Sequence, residues 1–186
     1  MRVISGFLKG KKIDFIKSKT TRPLRDFIKE NIFNIIKHSN LTKVRLENAN
    51  ILDLYSGVGS FGIECISRGA KKSTFVENDN KALVVLKRNL NNLKIENSSQ
   101  VFSGKVISFL NKLNNKNKFE IIFFDPPFAE NVFLNELKIL KDSVIYQKNH
   151  IIIIHREDKS KNDLEKIINV LLTRSYGRSR LIFGYF

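Results

Sequence analysis

Four apolar residues, Ile121 to Phe124, run without a break into Asp125, Pro126, Pro127 and Phe128. The apolar run has the character of a strand buried on both faces. Proline lacks an N–H and fixes φ, so the ladder cannot continue, and the chain becomes a stiff loop at the strand's carboxyl end. Ligands of open α/β sheets bind at that end. The loop offers a carboxylate, carbonyl acceptors and a flat ring. An amino group on a planar base needs such a seat: acceptors for its N–H bonds and a face to stack on. In isolation the same residues could equally cap a strand and form a rigid turn, so the rest of the chain must decide.

A second cluster lies upstream. Gly57-x-Gly59-x-x-Gly62 matches the dinucleotide fingerprint, with Glu77 twenty residues after Gly57, where a ribose-binding acid belongs. On this pattern alone an NAD(P)-dependent oxidoreductase is open. Three features favour S-adenosylmethionine. Asp53, four residues before the first glycine, is unwelcome beside a pyrophosphate but suits a ligand carrying ammonium and sulfonium charges. The loop Tyr55-Ser56-Gly57-Val58-Gly59 lets backbone approach the methionine portion closely. The Asp125 loop follows the fourth strand, beside the first across the switch point, which sets an amine seat next to a methyl donor. Glu77 would meet the ribose with either cofactor, and the adjoining Asn78 is a further cofactor-binding candidate.

These residues need elements to position them. The spacing predicts strands at 51–55, 72–76, 100–103, 120–125 and 150–155, with helices at 60–68, 80–93, 106–113 and 132–140 between them. A helix over Asp163 to Leu172 and two closing strands, Arg174 to Ser179 and Leu181 to Phe186, complete the pattern, with Gly177 at the turn. The fold class is therefore α/β: a doubly wound, mostly parallel, seven-stranded sheet with one antiparallel closing strand. Ahead of it, residues 2–16 suggest a small β-hairpin with Lys9, Lys11 and Lys12 at its turn. Pro23 opens a helix that runs to His38. Residues 1–40 form an extension on a domain spanning 41–186.

The chain has 186 residues, 42% of them hydrophobic, enough for one domain with a real core. The longest apolar runs are too short to cross a bilayer, and no signal-peptide core is present at the start. Cys65 is the lone cysteine, which excludes a disulfide framework and a thiolate metal cluster and fits a reducing, cytoplasmic setting. It and Phe61, Phe123 and Phe124 are expected in the core, and His155 at a strand end. Thirty-three basic residues against 18 acidic ones leave a net charge of +15, which favours a polyanionic partner. An AT-rich genome also adds lysine, so arginine placement is better evidence. Arg22 and Arg25 lie close together, and so do Arg174, Arg178 and Arg180. Arg22, Arg25 and Lys29, at helical spacing, can share one face.

The stretch Asp53 to Glu64, continuing through Ser67-Arg68-Gly69-Ala70 and Phe75-Val76-Glu77, resembles the bacterial 16S rRNA guanine-N2 methyltransferases, the ribosomal small-subunit methyltransferase D family. So do Arg2 to Gly6 with Gly10-Lys11, Thr21-Arg22-Pro23, Asp26, Lys29-Glu30, Phe33-Asn34, Asp125 to Phe128 and Tyr176-Gly177. The resemblance covers nearly the whole chain and implies a class I, Rossmann-like fold. It implies methylation of guanine 966 of 16S rRNA on its exocyclic N2, on a partly assembled small subunit, by a monomer that needs no metal. It also implies that Asp125 and the Pro126 carbonyl hold the amine and that Phe128 stacks on the base. Lys105 stands where an acid or amide commonly meets the adenine amine, and His155 where an acid is frequent. Arg2, Lys9, Lys11, Arg22, Arg25 and Lys29 become candidate phosphate contacts. An adenine-N6 methyltransferase and a non-catalytic rRNA-binding assembly factor are the alternative readings.

Overall fold

The apolar runs become the central strands. In the computed structural model, which describes residues 1–16, 26–39, 43–113, 118–127, 132–157 and 164–186, β1 (Asn50–Leu54), β4 (Phe119–Phe124) and β5 (Tyr146–Glu157) lie side by side. Ile51, Leu52, Ile121, Ile122 and Ile151 to Ile154 are fully buried. Strands covered on both faces have no polar face to alternate with, hence the unbroken runs. With β2 (Lys72–Glu77), β3 (Ser99–Ser103), β6 (Asn169–Tyr176) and β7 (Ser179–Tyr185) they form one sheet of order β3-β2-β1-β4-β5-β7-β6. β1 to β5 pair in parallel, while β7 runs antiparallel to β5 and β6. The strand order reverses between β1 and β4, so the two loops singled out above leave neighbouring strands at the switch point.

Alternation divides the core. Ile51, Ile121, Phe123, Ile151, Ile153, Leu181 and Phe183 face α1 (Asp26–His38) and α2 (Ser60–Ser67). Leu52, Leu54, Ile122, Phe124, Ile152 and Ile154 face α4 (Val106–Leu110) and α5 (Val132–Ser143). α3 (Asn80–Asn92), capped by the Asp79 side chain on the Ala82 N–H at 2.7 Å, packs with α2 and the first residues of the chain.

Two expectations change. The helix expected over Asp163 to Leu172 is instead a 3-10 turn, Leu164–Lys166, followed by β6; Asp163 itself lies outside the described residues. Its apolar residues form a contiguous run, Ile167 to Leu172 with one interruption, and pairing along β7 satisfies that run better than an isolated helix could. The expected hairpin at the start reduces to one antiparallel bridge, Arg2 to Lys12, around tight turns. Gly6 at φ 83° lies so close to α2 that a Cβ would fall 1.7 Å from the Ser67 carbonyl oxygen. Val3, Leu8 and Ile13 share a core cluster with Ile63, Phe75 and Leu86, and α1 shares another with β1, β4 and β5. The first residues are thus built into the sheet domain's core, and the division at 40/41 falls among undescribed residues. No helix among the described residues is long and apolar enough to cross a membrane.

Candidate active site

Asp53 points from β1 toward α2 and is 1% exposed. Its Oδ2 accepts the Gly62 N–H at 3.0 Å, so the carboxyl group ties the strand to the first turn of the helix. Gly62 has to be glycine: a Cβ would stand 2.3 Å from the Phe75 ring and 3.1 Å from Asp53. Burial pushes the Asp53 carboxyl up to about 8, against the pull of the Gly62 N–H, and Asp125 and Glu77 push it further in the same direction. A cation placed beside it would reverse that balance.

Between Asp53 and Gly62 the loop turns with Tyr55, Gly57 and Gly59 at positive φ. A Cβ on Gly57 would meet nothing within 4 Å, whereas one on Gly59 would strike Leu86 at 2.5 Å. Gly57 therefore borders open space and Gly59 packs inward. Ser56 Oγ is buried and has no hydrogen-bond partner among the described residues. Open space beside a loop with a buried, unmatched hydroxyl fits a bound polar ligand. Tyr55 contributes backbone here, since its hydroxyl donates to Glu136 on α5.

Glu77 ends β2. Its Oε2 accepts the Gly57 N–H at 2.7 Å, and its Oε1 accepts those of Asn78 and Asp79 at 2.8 Å each. Three charge-assisted bonds hold the glycine loop against the tip of β2. The Glu77 carbonyl takes the Gly104 N–H at 2.8 Å, which brings the start of α4, with exposed Lys105 as its N-cap, to the same edge. Asn78 is exposed at that edge.

Asp125 follows β4, and its N–H donates to the Leu54 carbonyl at 3.3 Å. Asp53 pairs with Phe123, so Asp125 stands two residues farther along the adjacent strand, on the same face. Strand geometry puts the two backbone positions about 8 Å apart. Both residues sit at the carboxyl ends of their strands, Asp53 buried under α2 and Asp125 partly exposed. The Asp125 loop has two supports. On one face His155 Nδ1 lies 2.9 Å from Asp125 Oδ1. On the other the buried Arg156 guanidinium donates to the Pro127 carbonyl at 2.8 Å and to that of Pro126 at 3.4 Å, with its plane 4.4 Å over the Phe133 ring. Arg156 thus already claims part of the Pro126 carbonyl. Sequence reasoning missed both supports. The available signal was a pair of polar residues directly after four isoleucines, which alternation must send to opposite faces.

Lys29 is a correction. It is fully buried, so it is not a phosphate contact. Its ammonium lies 3.5 Å from Glu64, donates to the Arg2 carbonyl at 3.0 Å and reaches Ser60 Oγ at 3.3 Å. Glu64 in turn accepts the Ile4 and Ser5 N–H groups at 2.8 and 2.9 Å and Arg68 Nε at 2.8 Å. Lys29 instead helps clamp the first residues to α2. Arg2, Lys9 and Lys11 are exposed, with Arg2 3.7 Å from Asp26. Arg22, Arg25 and Phe128 lie outside the described residues. Cys65, Phe61, Phe123 and Phe124 are buried in the core.

A family model described as "Conserved hypothetical protein 95" matches residues 1–185. A curated relative from Buchnera aphidicola, "Ribosomal RNA small subunit methyltransferase D", is 34% identical over 84% of this chain and 78% of its own length. Its namesake from Haemophilus influenzae is 32% identical over 84% and 79%. The chain belongs to the ribosomal RNA small-subunit methyltransferase D family. Among solved structures, a hypothetical protein from a Thermus species superposes with a TM-score of 0.81 at 21% identity, covering 100% of this chain and 99% of that one. The seven-stranded sheet with its antiparallel β7 is thus the class I methyltransferase fold. Within the methyltransferase D family frame, Asp53, the glycine loop and Glu77 form one half of the edge, and the Asp125 loop forms the other.

Proposed function

We propose that the chain transfers a methyl group from S-adenosylmethionine to the exocyclic N2 of a guanine in small-subunit rRNA, guanine 966 of the 16S molecule. The observation that carries this reading is the placement of Asp53 and Asp125 on one face of adjacent strands, at their carboxyl ends. Family membership supports the coarser statement, methylation of ribosomal RNA. The donor class is supported by the buried carboxyl of Asp53, the open space beside Gly57 and the unmatched Ser56 hydroxyl. When bound, the donor supplies an electrophilic methyl on a sulfonium. Asp53, Ser56 and the loop backbone would hold its methionine portion, Glu77 and Asn78 its ribose, and the segment from Gly104 to Lys105 would border its base.

An aromatic amine is a poor nucleophile because its lone pair is delocalised into the ring. Asp125 accepts one N–H and turns that lone pair toward the methyl group; the Pro126 carbonyl, partly committed to Arg156, accepts the other. Phe128 stacks on the base, worth about 1–3 kcal/mol. The target must leave any stack to reach this loop. As the N–C bond forms and the C–S bond breaks, N2 becomes cationic and gives up a proton, which Asp125 takes or passes to water. Alignment supplies much of the acceleration. The enzyme acts as a monomer on a partly assembled small subunit, with Arg2, Lys9, Lys11, Arg22 and Arg25 on phosphates.

Tritium transfer from the labelled donor to small subunits lacking this modification, followed by mapping of the labelled base, tests the proposal. Label at a guanine N2 supports it. Label at adenine N6, or donor binding without transfer, selects one of the alternative readings.

A further inference from the structure

The row of residues through Asp125 continues across the sheet. Asp125 contacts His155 on β5; His155 pairs with Leu181 on β7, and Leu181 with Arg174 on β6. Leu181 is fully buried beneath α1, so this row faces the α1 side. Three strand spacings put Arg174 about 14 Å from Asp125, a span that about two extended nucleotides cover. Arg174 is exposed on the last strand, with a long 3.5 Å bond to its neighbour's carbonyl. Tyr176, two residues on, packs on the same core, and Phe27 of α1 meets it edge to face at 5.5 Å between centroids. Phe27 is 62% exposed, and nothing in the core requires an aromatic there. Beyond them Arg178 is exposed and paired with Glu157 at 3.0 Å, and at the other end of the patch Arg2 is paired with Asp26.

An exposed ring near an exposed arginine, in register with the Asp125 row, has the make-up of a single-strand platform: an aromatic face to stack on and a guanidinium group for the backbone. We infer that Phe27, Tyr176 and Arg174 form the docking surface for the unpaired nucleotides flanking the target base, with one base on Phe27 and the adjoining phosphate on Arg174. Asp26 pairs with Arg2 and Glu157 with Arg178, and Arg174 stands exposed on the strand face that also carries Tyr176. This inference rests on the proposed RNA substrate. It adds where the strand leaves the active site: past the exposed Phe27 ring of α1 toward Arg174 on the edge strand β6.

Binding of a fluorescein-labelled single-stranded RNA carrying the target guanine and its neighbours, followed by anisotropy with S-adenosylhomocysteine present, tests it. Phe27→Ala should weaken binding about tenfold or more. Arg174→Ala should weaken it and lower the slope of log affinity against log salt by about 0.7. Both side chains are exposed, and an unchanged melting temperature checks that each variant folds. Wild-type binding that neither substitution moves by more than about twofold overturns this inference alone. A wild-type chain that binds no such RNA also overturns this inference, while tritium transfer to small subunits decides the proposed function separately.

Discussion

His155 Nδ1 and Asp125 Oδ1 meet at 2.9 Å, and the imidazole is buried between β4 and β7. Asp125 otherwise sits on the backbone of a proline loop, so this contact fixes how its free oxygen faces an incoming amine. A hydrogen bond to a charged group is worth about 1.5–3 kcal/mol, a factor of about 10–100 in rate. His155→Leu should therefore lower kcat by about that factor and leave S-adenosylhomocysteine affinity unchanged. His155→Asn, whose amide nitrogen can stand in for Nδ1–H, should recover most of it. Equal loss in both variants would return His155 to a packing role; steady-state kinetics with calorimetry decides.

In the proposed mechanism Asp125→Ala removes the acceptor of the amine proton while Asp53, Glu77 and the glycine loop remain. Transfer should fall by at least about 100-fold, with donor affinity within about twofold of wild type. Tritium transfer and isothermal titration measure the two quantities side by side.

Asp53 ionises at about 8 in the folded protein against an ordinary 3.8 in the unfolded chain. A raised acid favours the folded state in its neutral form. Its contribution is complete below pH 3.8 and is lost as pH rises to about 8. Urea denaturation of the ligand-free protein should show stability falling across this window, and Asp53→Asn should flatten the slope. Donor binding brings positive charge to the carboxyl, so wild type should release protons on binding near neutral pH and the variant fewer. Calorimetry in buffers of different ionisation enthalpy reads this directly.

Lys29 is buried against Glu64, and burial lowers its ammonium pKa in spite of the carboxylates nearby. Lys29→Met breaks a buried pair but leaves Glu64 its bonds from Arg68, Ile4 and Ser5. The cost should be about 2–4 kcal/mol in chemical denaturation. RNA affinity of the folded variant and its salt slope should stay at wild-type values, as expected of a core residue.

Much of the fold was legible before any coordinates. Ile121 to Phe124 and Ile151 to Ile154 admit little besides strands buried on two faces, and proline at 126 and 127 has to end a ladder. The glycine loop was legible for the same kind of reason: positive φ at Gly57 and Gly59, and no room for a Cβ at Gly62. The closing strand at Arg174 was legible but the first part of β6 was not, because an apolar run such as Ile167 to Leu172 has no period of its own, and only β7 beside it selects a strand. Nor does charge distinguish Lys29 from Lys9. One is sealed by Glu64, Ser60 and the Arg2 carbonyl, while the other meets solvent.

The sequence by itself determined the strands and the residue types at their ends, because local sterics and hydrophobic periodicity act within a few residues. The tertiary structure alone decided which groups serve one another: His155 on Asp125, Arg156 on the Pro127 carbonyl, Phe27 on Tyr176. These partners lie far apart in the chain and meet only through strand register and helix packing, which single-residue preferences do not encode.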